Sequence, residues 1–121
     1  WMILQAEKAE DWVIATGKTT TVRDFVRLAF KEVGIELEFK GNGVEEKAYV
    51  VSCNDENYQI KIGKEILSVD PQYFRPTEVD LLIGDPSKAK EKLGWVPKYF
   101  LSDLVKEMMQ SDIDIFKKNE R

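Results

Sequence analysis

The sequence predicts an α/β domain in which helices pack on short strands, with no large sheet of its own. Three observations carry that expectation. Apolar residues recur at helical spacing in several stretches, while others alternate strictly or cluster as β-branched and aromatic runs. Gly, Pro, Asn and Asp punctuate the borders between the two kinds. No internal repeat, low-complexity tract or interdomain linker divides the chain, so residues 1–121 read as one unit.

Taken in order, Trp1-Met2-Ile3-Leu4-Gln5 is an apolar, helix-like run with no cap, no initiator Met and no signal-peptide n-region. A helix that starts inside its own apolar stripe is expected to have been cut from a longer chain. Trp1, Ile3 and Leu4 would then have packed on a missing domain, and that face gives a route to self-association. Trp12-Val13-Ile14-Ala15 is of strand type and ends at Thr16-Gly17. Thr21, three residues before Asp24, forms a capping-box variant with Asp in place of Glu or Gln. Val22, Phe25, Val26, Ala29, Phe30 and Val33 share one face of the helix it opens, and Gly34 stands where a left-handed cap is wanted.

Ile35-Glu36-Leu37-Glu38-Phe39 alternates as a half-buried strand should. Ala48–Cys53, Tyr58–Ile62 and Glu65–Val69 read as further short strands of a hairpin-like insertion, separated by Asn54-Asp55-Glu56-Asn57 and Gly63-Lys64. Cys53, at a strand end, reads as a small filler rather than a reactive thiol. Asp85 is an N-cap candidate with Pro86 at the first helical position, and the helix Ser87–Leu93 stops at Gly94. A last helix places Leu101, Leu104, Val105, Met108 and Phe116 on one stripe, with Lys117, Lys118 and Arg121 at its negative end. Its Met pair reads as core filling.

Composition removes several function classes. The 121 residues are 43% hydrophobic and 33% charged, enough for a sizeable core and unlike a disordered tail. With 18 Lys and Arg against 22 Asp and Glu, the net charge of −4 gives no general attraction for nucleic acid or anionic lipid. There is no His, which excludes a Ser-His-Asp triad, a His base and a His metal ligand. A single Cys excludes an internal disulfide and a thiolate zinc site. The seven glycines do not fit Gly-x-Gly-x-x-Gly, and no Tyr has a Lys four residues later, so no dinucleotide fingerprint and no Tyr/Lys catalytic pair lies in this chain.

One cluster has chemistry of its own. Pro76 biases Arg75 to extended backbone, and Glu78 follows three residues after it. A guanidinium presents a planar fork that matches phosphate oxygens, and a carboxylate accepts from vicinal hydroxyls such as those of a ribose. Together they could grip a nucleotide by phosphate and sugar. By spacing alone the signal is weak, and such a pair is more often a surface ion pair of little energetic value.

Context adds to that. Tyr73-Phe74-Arg75-Pro76-Thr77-Glu78-Val79-Asp80, then Gly84-Asp85-Pro86-Ser87-Lys88-Ala89 and Leu93-Gly94-Trp95-Val96-Pro97, resembles the C-terminal signature of the extended short-chain dehydrogenase/reductases that act on nucleotide-sugars. Within that superfamily the chain is most similar to the GDP-mannose 4,6-dehydratase family. Val13-Ile14-Ala15-Thr16-Gly17, Val22-Arg23-Asp24-Phe25, Ala29-Phe30-Lys31-Glu32-Val33-Gly34, Gly43-Val44-Glu45-Glu46, Val69-Asp70-Pro71 and Leu104-Val105-Lys106-Glu107-Met108 extend the likeness over nearly the whole chain. Residues 49–66 match least.

The resemblance implies a division of labour. An N-terminal Rossmann domain would carry NADP and the catalytic Thr, Glu, Tyr and Lys, all upstream of Trp1. This chain would be the C-terminal nucleotide-sugar-binding domain, a small helix-rich α/β domain without its Rossmann domain. It would hold no catalytic, cofactor-binding or metal-ligating residue. Arg75 would contact the GDP diphosphate and Glu78 the ribose hydroxyls of GDP-mannose. Asp85-Pro86-Ser87 would be a helix start, Leu93-Gly94-Trp95 a packing corner, and Thr16-Gly17 the end of a strand near the sugar pocket. In such enzymes NADP takes hydride from the sugar C4, water leaves from C6, and the hydride returns to C6, an early step towards GDP-fucose and related deoxysugars. The resemblance further implies a cytoplasmic homodimer or homotetramer that binds neither nucleic acid nor membrane. Two other readings stay open: an epimerase or dehydratase of a UDP- or dTDP-sugar, and a non-catalytic nucleotide-binding or interaction module.

Overall fold

The computed structural model describes residues 1–76 and 82–119. Its regular elements are α1 (Val22–Glu32), β1 (Ile35–Lys40), β2 (Lys47–Cys53), β3 (Glu65–Ser68), α2 (Ser87–Leu93) and α3 (Leu101–Asn119), with 3-10 turns at Met2–Gln5 and Gly43–Glu45. The strands make one antiparallel sheet in the order β1-β2-β3. Helices α1 and α3 pack on each other, and α1 also packs on β1. This is the predicted α/β domain of helices on short strands.

Helix α1 begins as its sequence requires. The Thr21 hydroxyl oxygen accepts from the backbone N–H of Asp24 at 3.0 Å, and the Thr21 hydroxyl donates to the Asp24 carboxylate at 2.7 Å. That satisfies one of the donors a helix start leaves open. At the other end Gly34 takes a φ of 69°, which reverses the chain into β1. Val33 and Ile35, on either side of the reversal, are buried and meet Val50 of β2. Phe30, Leu37, Cys53, Tyr58, Ile60, Ile66, Met109 and Ile113 pack around those three.

Both strand pairs carry a bulge. Glu36 faces Ser52 but Leu37 faces Val50, so Val51 is the odd residue and lies exposed. Ala48 faces Leu67 but Tyr49 faces Glu65, which leaves Ile66 over. The first bulge lets Val50 and Cys53, three apart, both turn towards the core opposite Leu37 and Ile35. Cys53 is the predicted filler, half-buried with its thiol donating to the Tyr58 carbonyl at 2.8 Å.

Four sequence expectations shift. Trp12–Ala15 forms no strand. It runs instead beside Gly84, where an added Cβ would fall 2.6 Å from that of Ala15, and Lys88 of α2 donates to the Asp11 carbonyl. Strand propensity without a ladder partner does not make a strand. Tyr58–Ile62 is loop, because Asp55 captures it: the Asp55 carboxylate accepts from Asn57 and its carbonyl from Tyr58 and Gln59. Helix α2 has Pro86 itself at the cap, one residue later than predicted, although Asp85 still accepts from the Ser87 N–H at 2.9 Å. On α3 the row turned inward is Leu101, Val105, Met109 and Ile113, not the stripe through Met108 and Phe116. Phe116 is 71% exposed and Met108 44%, against 2% for Val105. One Met of the pair fills the core and the other faces outward. The start of α3 is closed by Asp103, whose carboxylate accepts from the Phe100 N–H at 2.9 Å.

Two predictions follow from this packing. Ile35→Ala should lose about 2–5 kcal/mol in urea unfolding, whereas Phe116→Ala should stay within about 0.5 kcal/mol. Met109→Ala should likewise destabilise more than Met108→Ala; the reverse order would mean that the other stripe is the buried one. The second concerns acid. The Ser87 hydroxyl and then its N–H hold the Asp85 carboxyl below its ordinary value of 3.8, and the Thr21 hydroxyl does the same for Asp24. A carboxyl depressed by folding stabilises above its unfolded pKa, and that contribution is lost as pH falls through the folded value. Between about pH 5 and pH 2, Asp85→Asn should therefore flatten the acid limb of stability measured by circular dichroism.

Candidate functional site

Arg75 sits in irregular, exposed backbone after β3. What places it is a turn with its own chemistry. The Asp70 carboxylate accepts from the Gln72 N–H at 2.8 Å, and the Asp70 carbonyl from the Tyr73 N–H at 3.1 Å. Pro71 suits the second position of such a turn because its φ is already set. Tyr73 emerges 76% exposed, then Phe74, then Arg75.

Phe74 is the anchor. Its ring tip lies so close to Gly43 that a Cβ there would stand 3.3 Å from Cζ. Gly43 also has a φ of 58°, so the backbone there favours glycine, and an added Cβ would press on the ring as well. The seat belongs to the tight connection between β1 and β2. There Asn42 and Gly43 carbonyls accept from the N–H groups of Glu45 and Glu46 at 3.1 and 3.2 Å. The Glu46 carbonyl in turn accepts from the Val69 N–H at 3.3 Å, which ties the connection to the strand exit that leads to Arg75.

From α1, Arg23 reaches the same place. Its Nε donates to Glu46 Oε1 at 2.7 Å, and a second guanidinium nitrogen pairs with that oxygen. The guanidinium of Arg23 also lies 5.7 Å from the Phe39 ring centre, and that of Arg27 4.9 Å. In the sequence, the Gly-x-Gly spacing at 41–43 followed by Glu46 is the available signal for a seat.

Glu78, the second predicted site residue, lies outside the described residues, so its distance from Arg75 is not defined. Among the described residues Arg75 pairs with no carboxylate. Thr16 exchanges hydrogen bonds with the Lys18 backbone, and Gly17 abuts the Pro86 ring. Next to them a cavity of about 540 Å³ is lined by Thr16, Lys18, Thr20, Tyr99, Phe100 and Leu104 among others, with the Lys18 ammonium 5.5 Å from the Phe100 ring centre. Sequence reasoning missed this cavity, since its walls come from segments some eighty residues apart. The Leu93-Gly94-Trp95 corner turns through a φ of 68° at Gly94, with the Gly94 N–H bonded to Lys90 and that of Trp95 to Ala89. Among the described residues no three metal-ligating side chains converge, and no helix is long and apolar enough to cross a membrane.

Comparison with known proteins places these features. A family profile described as GDP-mannose 4,6 dehydratase matches residues 1–108. The GDP-mannose 4,6-dehydratase of Yersinia enterocolitica is 54% identical over 114 residues, covering 93% of this chain and 31% of that protein. That of Vibrio cholerae is 51% identical over 115 residues, covering 94% of this chain and 31% of that protein. The GDP-mannose 4,6 dehydratase of Dictyostelium discoideum is 45% identical over 121 residues, covering 100% of this chain and 32% of that protein. The chain therefore spans about a third of the length of the relatives it matches. The match runs from Trp1 into α3, and the chain belongs to the GDP-mannose 4,6-dehydratase family.

Proposed function

We propose that this chain is the nucleotide-sugar-binding portion of an NADP-dependent GDP-mannose 4,6-dehydratase, a lyase that releases water from the hexose of GDP-mannose. In this reading it is the C-terminal part of a longer cytoplasmic homo-oligomeric enzyme, closing over a substrate held also by a Rossmann domain. The observation that carries the reading is Arg75: a permanently charged fork, exposed, on a turn pinned through Phe74 to Gly43. Its geometry suits a diphosphate, and Glu78 supplies the acceptor for the ribose hydroxyls.

In this reading the dinucleotide is not held by this chain. Strands β1 to β3 are antiparallel, and none of them runs directly into an α-helix through a glycine-rich turn; the glycines after β1 lead only into the 3-10 turn at Gly43–Glu45. In this reading the cofactor and the acid–base pair belong to another part of the enzyme. What this portion contributes is binding energy at the part of the substrate that does not react. Held by its diphosphate and ribose, the hexose loses translational and rotational freedom and meets the catalytic groups in a fixed pose.

Kinetics of the full-length enzyme test this. Arg75→Ala should raise KM for GDP-mannose by about 10- to 100-fold, the loss of a charge-assisted hydrogen bond, and Glu78→Gln should raise it less. Unchanged KM in both variants would remove the site assignment. The purified 121-residue chain should show neither dehydratase turnover nor NADP binding by calorimetry; either one would overturn the division of labour.

A further inference from the structure

We infer that Arg23 and Glu46 are positioning residues for Arg75, acting through the connection on which Phe74 rests; this builds on the reading in which Arg75 binds the diphosphate. Glu46 is the joint. Its side chain takes both contacts from Arg23, its N–H closes the turn at Gly43, and its carbonyl holds the Val69 N–H. Each of those three links leads to a different element: α1, the Phe74 seat, and the strand exit one residue before the Asp70 turn.

Several features distinguish this pair from an ordinary surface contact. The Glu46 side chain is 18% exposed while that of Arg23 is 46% exposed, so the carboxylate is the more sheltered partner. The guanidinium is braced by the Phe39 ring, with Arg27 over the same ring. Arg23 is also fixed in direction, since it lies in the first turn of a helix capped two residues earlier at Thr21. A half-exposed ion pair adds little to global stability. Its value here is geometric: it fixes where the Glu46 backbone stands, and with it both the floor under Phe74 and the anchor of Val69. Displacement of that backbone would be transmitted to Arg75 over the short path Val69-Asp70-Phe74. Arg23 and Glu46 themselves need not touch substrate.

The test is a KM-against-kcat split in the full-length enzyme, with Arg75→Ala run alongside. Arg23→Ala and Glu46→Ala should each raise KM for GDP-mannose by about 5- to 20-fold while kcat stays within about twofold, the signature of lost uniform binding. Arg23→Lys, which keeps the charge but not the fork, should recover part of the loss. On an Arg75→Ala background neither substitution should raise KM further, because the residue they position is gone. Glu38→Gln, which breaks the exposed Glu38–Lys40 pair on β1, should leave KM unchanged. If Glu46→Ala fails to fold, Phe74→Leu disturbs the same seat from the other side and is read the same way. The inference is overturned if Arg75→Ala raises KM while Arg23→Ala and Glu46→Ala do not, or if their effects add in full to that of Arg75→Ala. If Arg75→Ala itself is silent, the diphosphate reading has failed, and the positioning role falls with it.

Discussion

The reversal at Gly34 is the constraint on which the remainder depends. A single residue in left-handed conformation joins helix to strand, and it puts Val33 and Ile35 at the same point, 8% and 2% exposed. Both press on Val50, which sets α1 against β1 and β1 beside β2. Burying one such aliphatic side chain contributes about 1.5–3 kcal/mol, which a fixed crossing concentrates in one spot. Met109 and Ile113 of α3 then close over the cluster from a distance of more than fifty residues in sequence. The Asn54 N–H, bonded to the Gly34 carbonyl at 2.8 Å, fixes the end of β2 to that same reversal.

How far the sequence could be read depended on whether each feature was local. Thr21, Asp24 and Gly34 announce α1 because a cap and a stop act within one turn of the helix. Ile35–Phe39 announces β1 because its alternation reports one wet face and one dry face. Where the deciding partner is distant, the pattern misleads. Trp12–Ala15 has strand composition, yet its neighbours are Gly84 and α2. On α3, Leu104 and Met108 are as apolar as Val105 and Met109; only the folded packing, in which Met109 and Ile113 meet the Val33–Ile35–Val50 cluster, selects between the two rows. The candidate site divides in the same way. Arg75 and its Pro were visible as chemistry, while the Gly43 seat and the Arg23–Glu46 brace required three elements to be brought together first.

A second region is organised on different terms. Helix α2 and the N-terminal segment meet largely through charge: Lys88 and Lys92 both pair with Glu10, and the Lys88 ammonium lies 4.8 Å from the Trp12 ring centre. Lys88 first and Lys92 second hold the Glu10 carboxyl below its ordinary value. Trp1 and Leu4 remain 87% and 83% exposed beside it. Contacts of this kind are screened by salt, whereas the Val33–Ile35–Val50 cluster is not. Ionic strength thus acts unequally on the two halves of the chain, loosening the segment that precedes α1 while leaving the sheet intact.

The two bulges carry a last consequence, for which changes of length the chain can absorb. Side chains alternate along a strand, so one residue added between Lys47 and Cys53 would turn every later one over and bring Ser52 where Cys53 belongs. The loop that follows is under no such parity. Val50 already closes it, accepting from the Gly63 N–H and donating to the Lys64 carbonyl, and Tyr58 and Ile60 anchor its interior. At its exposed tip, Glu56-Asn57, extra residues would forfeit the Asp55 bonds to Asn57 and Tyr58 and add the slow logarithmic cost of closing a longer ring, about 0.6 kcal/mol for each doubling. Between β2 and β3, growth and loss therefore fall at that tip, while the strands on either side keep count.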